Sequence, residues 1–188
     1  MVKDSMKNKW DYSGVEHAYF SDAKGESYKK SAEFLDYKCE DWGCGTGRAK
    51  DYFKEYKGID GSPSKFLKPE DTVDLVEYTS DVDNILMRQV LEVNTEWRKI
   101  LENIKKSFRK KFCLVIYTPL VDKTREGGVF IPVKADGTPM KGKTLVEIYF
   151  NRQDILDYFP EKEFKVREEI IKTNQGYGSE WILYVERI

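Results

Sequence analysis

A chain of 188 residues with 32 basic and 33 acidic side chains can bury the core of one α/β domain, and its net charge of −1 sets up no global field toward nucleic acid or an anionic membrane. Its longest aliphatic and aromatic run, residues 112–117, is far too short to span a bilayer, and the first ten residues are polar and basic, unlike a secretory signal. No nucleic-acid partner and no membrane insertion are therefore expected, and residues 1–188 read as a single enzyme domain.

Residues 8–36 set Trp10, Tyr12, Tyr19, Phe20, Tyr28 and Phe34 among charges, which predicts a leading segment over 1–36 with a helix from about Glu26. A strand at 37–41 runs into Asp41-Trp42-Gly43-Cys44-Gly45-Thr46-Gly47. A helix-like segment, Arg48 to Tyr56, follows, then a strand at 56–60 ending in Asp60. Only ten residues, Gly61 to Glu70, precede a third strand at 71–76, so the helix after strand 2 is predicted to be abbreviated. A fourth strand falls at 83–87. The clearest helix is 92–110, where Trp97, Ile100, Leu101, Ile104 and Phe108 recur at helical spacing. Lys105, Lys106, Arg109 and Lys110 would complement the negative end of its macrodipole.

A fifth strand at 112–117 leads into 118–145, where Gly127-Gly128, Asp136-Gly137 and Lys141-Gly142 predict turns and 129–133 a strand. A hairpin or long loop is expected to be inserted there. The chain closes with a strand at 145–150, a short helix at 151–159, and strands near 163–172 and 180–187. Alternating strands and helices without repeats give the α/β class. Cys39, Cys44 and Cys113 are odd in number and form no C-x-x-C pair, so free thiols in a reducing, cytoplasmic compartment are expected. With His17 the single histidine there is no zinc set, and no metal is predicted.

The glycine-rich turn after the first strand carries the functional signal. Gly43 and Gly45 can take dihedrals closed to other residues and let a ligand approach the backbone, while Gly47 lets the following segment pack on the sheet. A carboxylate about 20 residues beyond the first strand, here Asp60, is where such folds bind a ribose diol. A dinucleotide's pyrophosphate sits on bare backbone amides, where extra negative charge is unwelcome. Asp41, opening this turn, instead suits a cationic ligand.

Asp41-Trp42-Gly43-Cys44-Gly45-Thr46-Gly47, with Tyr56-Lys57-Gly58-Ile59-Asp60 behind it, resembles the first two motifs of the class I S-adenosylmethionine-dependent methyltransferases. The resemblance implies a Rossmann-like, seven-stranded, mostly parallel sheet whose antiparallel last strand lies between the fifth and sixth. It implies S-adenosylmethionine as cofactor, with Asp41, Gly43, Cys44, Gly45 and Gly47 against its methionine part. Asp60 and Gly61 would then hold the ribose, and Asp74 and Leu75 the adenine, with Met87 on the fourth strand nearby. The turn Thr173 to Ser179 would lie at the carboxyl edge of the sheet, where α/β folds bind ligands.

The acceptor side departs from common family patterns. Where many relatives have histidines flanking V-L-E after the fourth strand, this chain has Gln89 and Val93. His17 and Asp122 are therefore the candidate bases for a hydroxyl acceptor. The Asn or Asp, Pro, Pro, aromatic motif of adenine and cytosine methyltransferases is absent, as is the paired-glutamate loop of arginine methyltransferases. A polar, aromatic rim of Tyr12, Tyr19, Tyr117, Gln175 and Tyr177, with Arg88 and Glu180, suits a small polar acceptor. Met87-Arg88-x-Val90-Leu91-Glu92 and the terminal Gln175-x-Tyr177-Gly178-x-Glu180 pattern are similar to small methyltransferases of glycan assembly. That likeness implies O-methylation of a sugar hydroxyl and association with glycosyltransferases. Two alternatives remain open: methylation of a lipid-like or aromatic small molecule, and a cofactor-binding module without catalysis.

Overall fold

The computed structural model describes residues 25–61, 71–131, 139, 144–173 and 177–188. Helix α1 (Glu26–Phe34) precedes strand β1 (Lys38–Trp42). A 3₁₀ turn (Arg48–Tyr52) leads to β2 (Glu55–Ile59), and β3 (Val82–Arg88) is followed by a second 3₁₀ turn (Leu91–Val93) and helix α2 (Trp97–Ser107). Strand β4 (Phe108–Ile116) leads to the hairpin β5 (Arg125–Phe130) and β6 (Leu145–Tyr149). Helix α3 (Arg152–Leu156) and strands β7 (Phe164–Lys172) and β8 (Ser179–Arg187) complete the chain.

Six strands form the main sheet in the order β2-β1-β3-β4-β8-β7, with β5 and β6 in a separate two-stranded sheet. Strands β2, β1, β3 and β4 are parallel, and β8 is antiparallel to both β4 and β7. The last strand thus lies between the fifth and sixth of the expected order. Ile85, Leu86 and Met87 on β3 and residues 112–116 on β4 are fully buried, as expected of central strands covered on both faces. One face packs Trp42, Ile85, Met87 and Leu114 against Trp97, Ile100, Leu101 and Ile104 of α2. The other packs Cys39, Leu86 and Cys113 against Tyr28, Ala32 and Leu35 at α1.

Three expectations are corrected. The main sheet has six strands among the described residues, not seven, because 71–76 contributes only a single bridge, Asp60 to Thr72. The Asp74 carboxylate accepts the Val76 amide at 3.0 Å, and the Asp74 carbonyl accepts that of Glu77 at 2.9 Å, so the chain turns away from the sheet. The helix expected over 48–56 is one 3₁₀ turn, since the Lys54 and Glu55 amides already donate to Tyr37 O and start β2. The helix expected over 92–110 spans 97–107 and passes directly into β4 at an extended Phe108. Lys105 and Lys106 occupy its last turn, whereas Arg109 and Lys110 lie on the strand and pair with Asp83. The hairpin expected after the fifth strand is present as β5 and β6. The abbreviated connection after β2 lies outside the described residues over 62–70. Among those described, no helix is long and apolar enough to cross a membrane.

Candidate cofactor and acceptor site

Parallel pairing aligns the carboxyl ends of the central strands along one edge. Trp42 pairs with both Ile59 and Met87, Arg88 pairs with Val115, and Ile116 faces Trp181 at the start of β8. The segments leaving β1, β3 and β4 and entering β8 therefore meet there. The glycine turn leaves β1 with positive φ at Gly43 (80°), Gly45 (55°) and Gly47 (74°), a region L side chains disfavour. The Gly43 and Cys44 amides both donate to Ile59 O, at 2.7 and 3.1 Å. A Cβ on Gly43 would lie 2.2 Å from Val90 Cγ2, so the turn presses against the segment leaving β3. The Gly45 amide donates to Asp60 Oδ2 at 2.8 Å, tying the turn to the acid after β2.

Asp41 is buried near the end of β1, where Oδ2 accepts the Tyr56 hydroxyl at 2.7 Å. Loss of solvent pushes its carboxyl up to about 7, with the Asp60 charge adding to the rise and the Tyr56 hydrogen bond and Arg88 opposing it. Cys44 is half-buried in the turn, and burial raises its thiol far above the usual range, which suits a filler rather than a nucleophile. Gly61 follows Asp60 in a bend. The Asn103 amide of α2 donates to the Leu75 and Val76 carbonyls, both at 3.0 Å, and fixes Asp74 and buried Leu75 beside the sheet. Met87 is fully enclosed in the core.

At the end of β3, Arg88 and Glu180 bury against each other with Nη2 to Oε1 at 2.6 Å. Arg88 Nε and Nη1 also donate to Ser27 Oγ and the Tyr28 hydroxyl, and its guanidinium lies 4.4 Å from the Tyr28 ring centroid. Gln89 adopts a positive φ of 58° and donates Nε2 to the same Glu180 oxygen at 2.8 Å. Glu92, fully buried, accepts the Tyr117 amide through Oε1 at 2.8 Å. Its Oε2 has no hydrogen-bond partner among the described residues, and burial pushes the carboxyl up to about 8.

Tyr117 stacks on Tyr177 at 6.2 Å between centroids and 19° between planes, and Tyr149 meets Tyr177 edge-on at 5.9 Å. The Tyr149 and Tyr177 hydroxyls are 2.7 Å apart, and both reach Glu147 Oε2, at 2.9 and 2.7 Å. This cluster joins the β5–β6 hairpin to the turn before β8.

No family model and no curated protein matches the chain. Among solved structures, it is similar to 1,6-didemethyltoxoflavin-N1-methyltransferase of Burkholderia thailandensis, with bound 1,6-didemethyltoxoflavin and S-adenosylhomocysteine. The TM-score is 0.60 at 11% identity, over 89% of this chain and 79% of that one. It is also similar to magnesium protoporphyrin IX methyltransferase of Synechocystis with bound S-adenosylmethionine, at a TM-score of 0.57 and 12% identity over 100% of this chain and 93% of that one. A glycopeptide N-methyltransferase with S-adenosylhomocysteine matches at a TM-score of 0.54 and 11% identity, over 94% of each chain. At such identities the likeness is one of fold. The chain has the class I methyltransferase fold.

Within this methyltransferase fold, the residues expected around a cofactor fall into place unevenly. Gly43, Gly45, Gly47 and Asp60 come together at the end of β1, with Asp41 beneath them, Thr72 bridged to Asp60, and Asp74 and Leu75 following it toward α2. Arg88 and Glu180, expected at the acceptor, form a buried pair under the edge, whereas Tyr117 and Tyr177 are joined above it. Asp122 is exposed after β4, where its carbonyl accepts Asn151 Nδ2 at 2.7 Å. His17, Tyr12, Tyr19 and Gln175 lie outside the described residues. Among those described, no three His, Cys, Asp or Glu side chains converge as a metal site. Sequence reasoning missed Glu92, Glu147 and Tyr149. In sequence, Glu92 features only as the end of the Met87-Arg88-x-Val90-Leu91-Glu92 pattern, and its burial is signalled by an acid amid the apolar run Val90-Leu91-Glu92-Val93.

Proposed function

We propose that the protein transfers the methyl group of S-adenosylmethionine to a small polar acceptor, with a sugar hydroxyl as the acceptor class. The observation that carries this reading is the Gly45 to Asp60 bond, which joins a positive-φ turn and a carboxylate at the carboxyl edge of a class I methyltransferase fold. The cofactor would supply a methyl group on a cationic sulfur, so the residues need only hold it, align the acceptor and exclude water. The donor set fits: backbone approach at Gly43, Gly45 and Gly47, with the buried Asp41 carboxyl below the turn, whose ionised form a cationic ligand would favour. The Asp60 carboxylate, which accepts the Gly45 amide through Oδ2, is the group that would hold the ribose hydroxyls. Asp74 and Leu75 would take the adenine, Asp74 by accepting from its exocyclic amine.

Support for a polar acceptor is the phenol and carboxylate cluster at the same edge, which offers hydrogen-bond acceptors to hydroxyls and aromatic faces to a sugar ring. Association with glycosyltransferases belongs to the same reading, in which His17 and Asp122 are alternatives to the base argued below. Incubation with methyl-labelled S-adenosylmethionine and a panel of methyl pyranosides should label a pyranoside. By their names, two of the solved neighbours methylate nitrogen, so amines belong on the panel as controls. Label on amines alone would overturn the sugar assignment, and label on nothing would overturn catalysis.

A further inference from the structure

We infer that Tyr177 and Glu147 together form the base for a hydroxyl acceptor, Tyr177 touching the hydroxyl and Glu147 receiving the proton through it. This rests on the methyltransferase reading above and adds residues to it. The need is real, because Gln89 is an amide that cannot take a proton, and its Nε2 is already committed to Glu180. The cluster lies at the carboxyl edge proposed above for the acceptor: Tyr117 directly follows β4, Tyr177 stacks upon it, and Tyr177 remains 46% exposed.

Three oxygens, Glu147 Oε2 and the two phenol oxygens, form a closed triangle with sides of 2.7, 2.7 and 2.9 Å. Three hydrogen bonds need three protons, and with the carboxylate ionised the two phenols supply only two. One side of the triangle therefore carries no proton, and adding one to Glu147 closes a ring in which each oxygen donates once and accepts once. That missing proton is the one an acceptor hydroxyl has to lose. Burial, together with the hydrogen bonds to Tyr149 and Glu147, pushes the Tyr177 phenol above its usual range, so it relays a proton rather than ionising.

The acceptor oxygen bonds to the methyl carbon while the carbon–sulfur bond breaks, its electron pair remaining on sulfur. The acceptor proton passes to the Tyr177 oxygen as the Tyr177 proton passes to Glu147 Oε2, and later to water. Tyr149 is a positioning residue. It lies two residues along β6 from Glu147, on the same face, and its ring rests over Gly127, where a Cβ would lie 1.9 Å from Tyr149 Cε2. Around the cluster, Arg125 lies 5.1 Å from the Tyr149 ring centroid, and Tyr117, whose amide donates to Glu92, feels the charges of both Glu92 and Glu147.

The test compares wild type with Glu147→Gln and Tyr177→Phe, using the methyl pyranoside panel and S-adenosylhomocysteine calorimetry. Each variant should lower kcat for the hydroxyl acceptor about a hundredfold or more and flatten the acid limb of its pH profile, with S-adenosylhomocysteine affinity unchanged within about twofold. A readout apart from turnover is the carboxyl ¹³C signal of Glu147 in the S-adenosylhomocysteine complex. It should move when the pyranoside is added to wild type and stay fixed in Tyr177→Phe. Unchanged kcat and pH profile in Glu147→Gln, or no transfer to any hydroxyl by protein that binds S-adenosylhomocysteine, would overturn the assignment. Failure to bind S-adenosylhomocysteine would instead overturn the methyltransferase reading, and this inference with it.

Discussion

The amide of Gly45 donates to Oδ2 of Asp60 across 2.8 Å, so the glycine turn after β1 and the acid after β2 are one unit. Asp60→Ala should remove both the tie on the turn and the proposed ribose contacts. The expected loss is ~2–3 kcal/mol of S-adenosylhomocysteine affinity, read by calorimetry, with the far-ultraviolet spectrum unchanged. Equal affinity in the variant would mean that the ribose lies elsewhere.

Gly43 has two separate reasons to be glycine, a φ of 80° and a Cβ position 2.2 Å from Val90 Cγ2. Gly43→Ala should lower stability by roughly 1–2 kcal/mol for the backbone and about 1–3 kcal/mol more for the clash. Pairing it with Val90→Ala should recover the second part and not the first, beyond the cost of the cavity left by Val90→Ala alone. Denaturant melts of the two single variants and the double variant give the coupling.

These two positions mark what the sequence carried. Glycines, an acid at a fixed distance and near-continuous apolar runs at 85–87 and 112–116 are local signals, and they located the turn and β1 to β4, whereas the order of the last strands came only from the family resemblance. Element lengths were less legible, because long-range hydrogen bonds end them: Tyr37 O captures the amides that start β2, and the Asp74 carboxylate turns 71–76 away from the sheet. The acceptor cluster was half visible. Tyr117 and Tyr177 stood out as rim aromatics, but nothing in the spacing of Glu147 and Tyr149 announces that a bulge at Gly127 brings Tyr149 to Tyr177.

Arg88 and Glu180 are both nearly solvent-free, so removing one leaves a buried charge. Arg88→Ala should cost about 3–5 kcal/mol, and Arg88→Met with Glu180→Leu should be far closer to wild type. Thermal melts of the single and double variants check this. A double variant as unstable as the single would mean that the pair does not account for the loss.

Asp41 and Glu92 give the protein an unusual pH dependence. Their carboxyls, ordinarily near 4, are raised by burial to about 7 and about 8. Between pH 4 and those values the folded state binds more protons than the unfolded, so their contribution is fully present at acid pH and is lost as pH rises toward 7 and 8. Each can contribute a slope of up to ~1.4 kcal/mol per pH unit. Urea melts from pH 5 to 8 should show stability falling with pH, less steeply in Asp41→Asn and in Glu92→Gln. A slope unchanged in both variants would show that neither carboxyl titrates there.

The central claim is that this fold holds S-adenosylmethionine, and calorimetric titration of the wild-type protein with S-adenosylhomocysteine, with NAD as the control, tests it most directly. Micromolar binding of S-adenosylhomocysteine and none of NAD is the result predicted here. Binding of NAD, or of neither ligand, would contradict it.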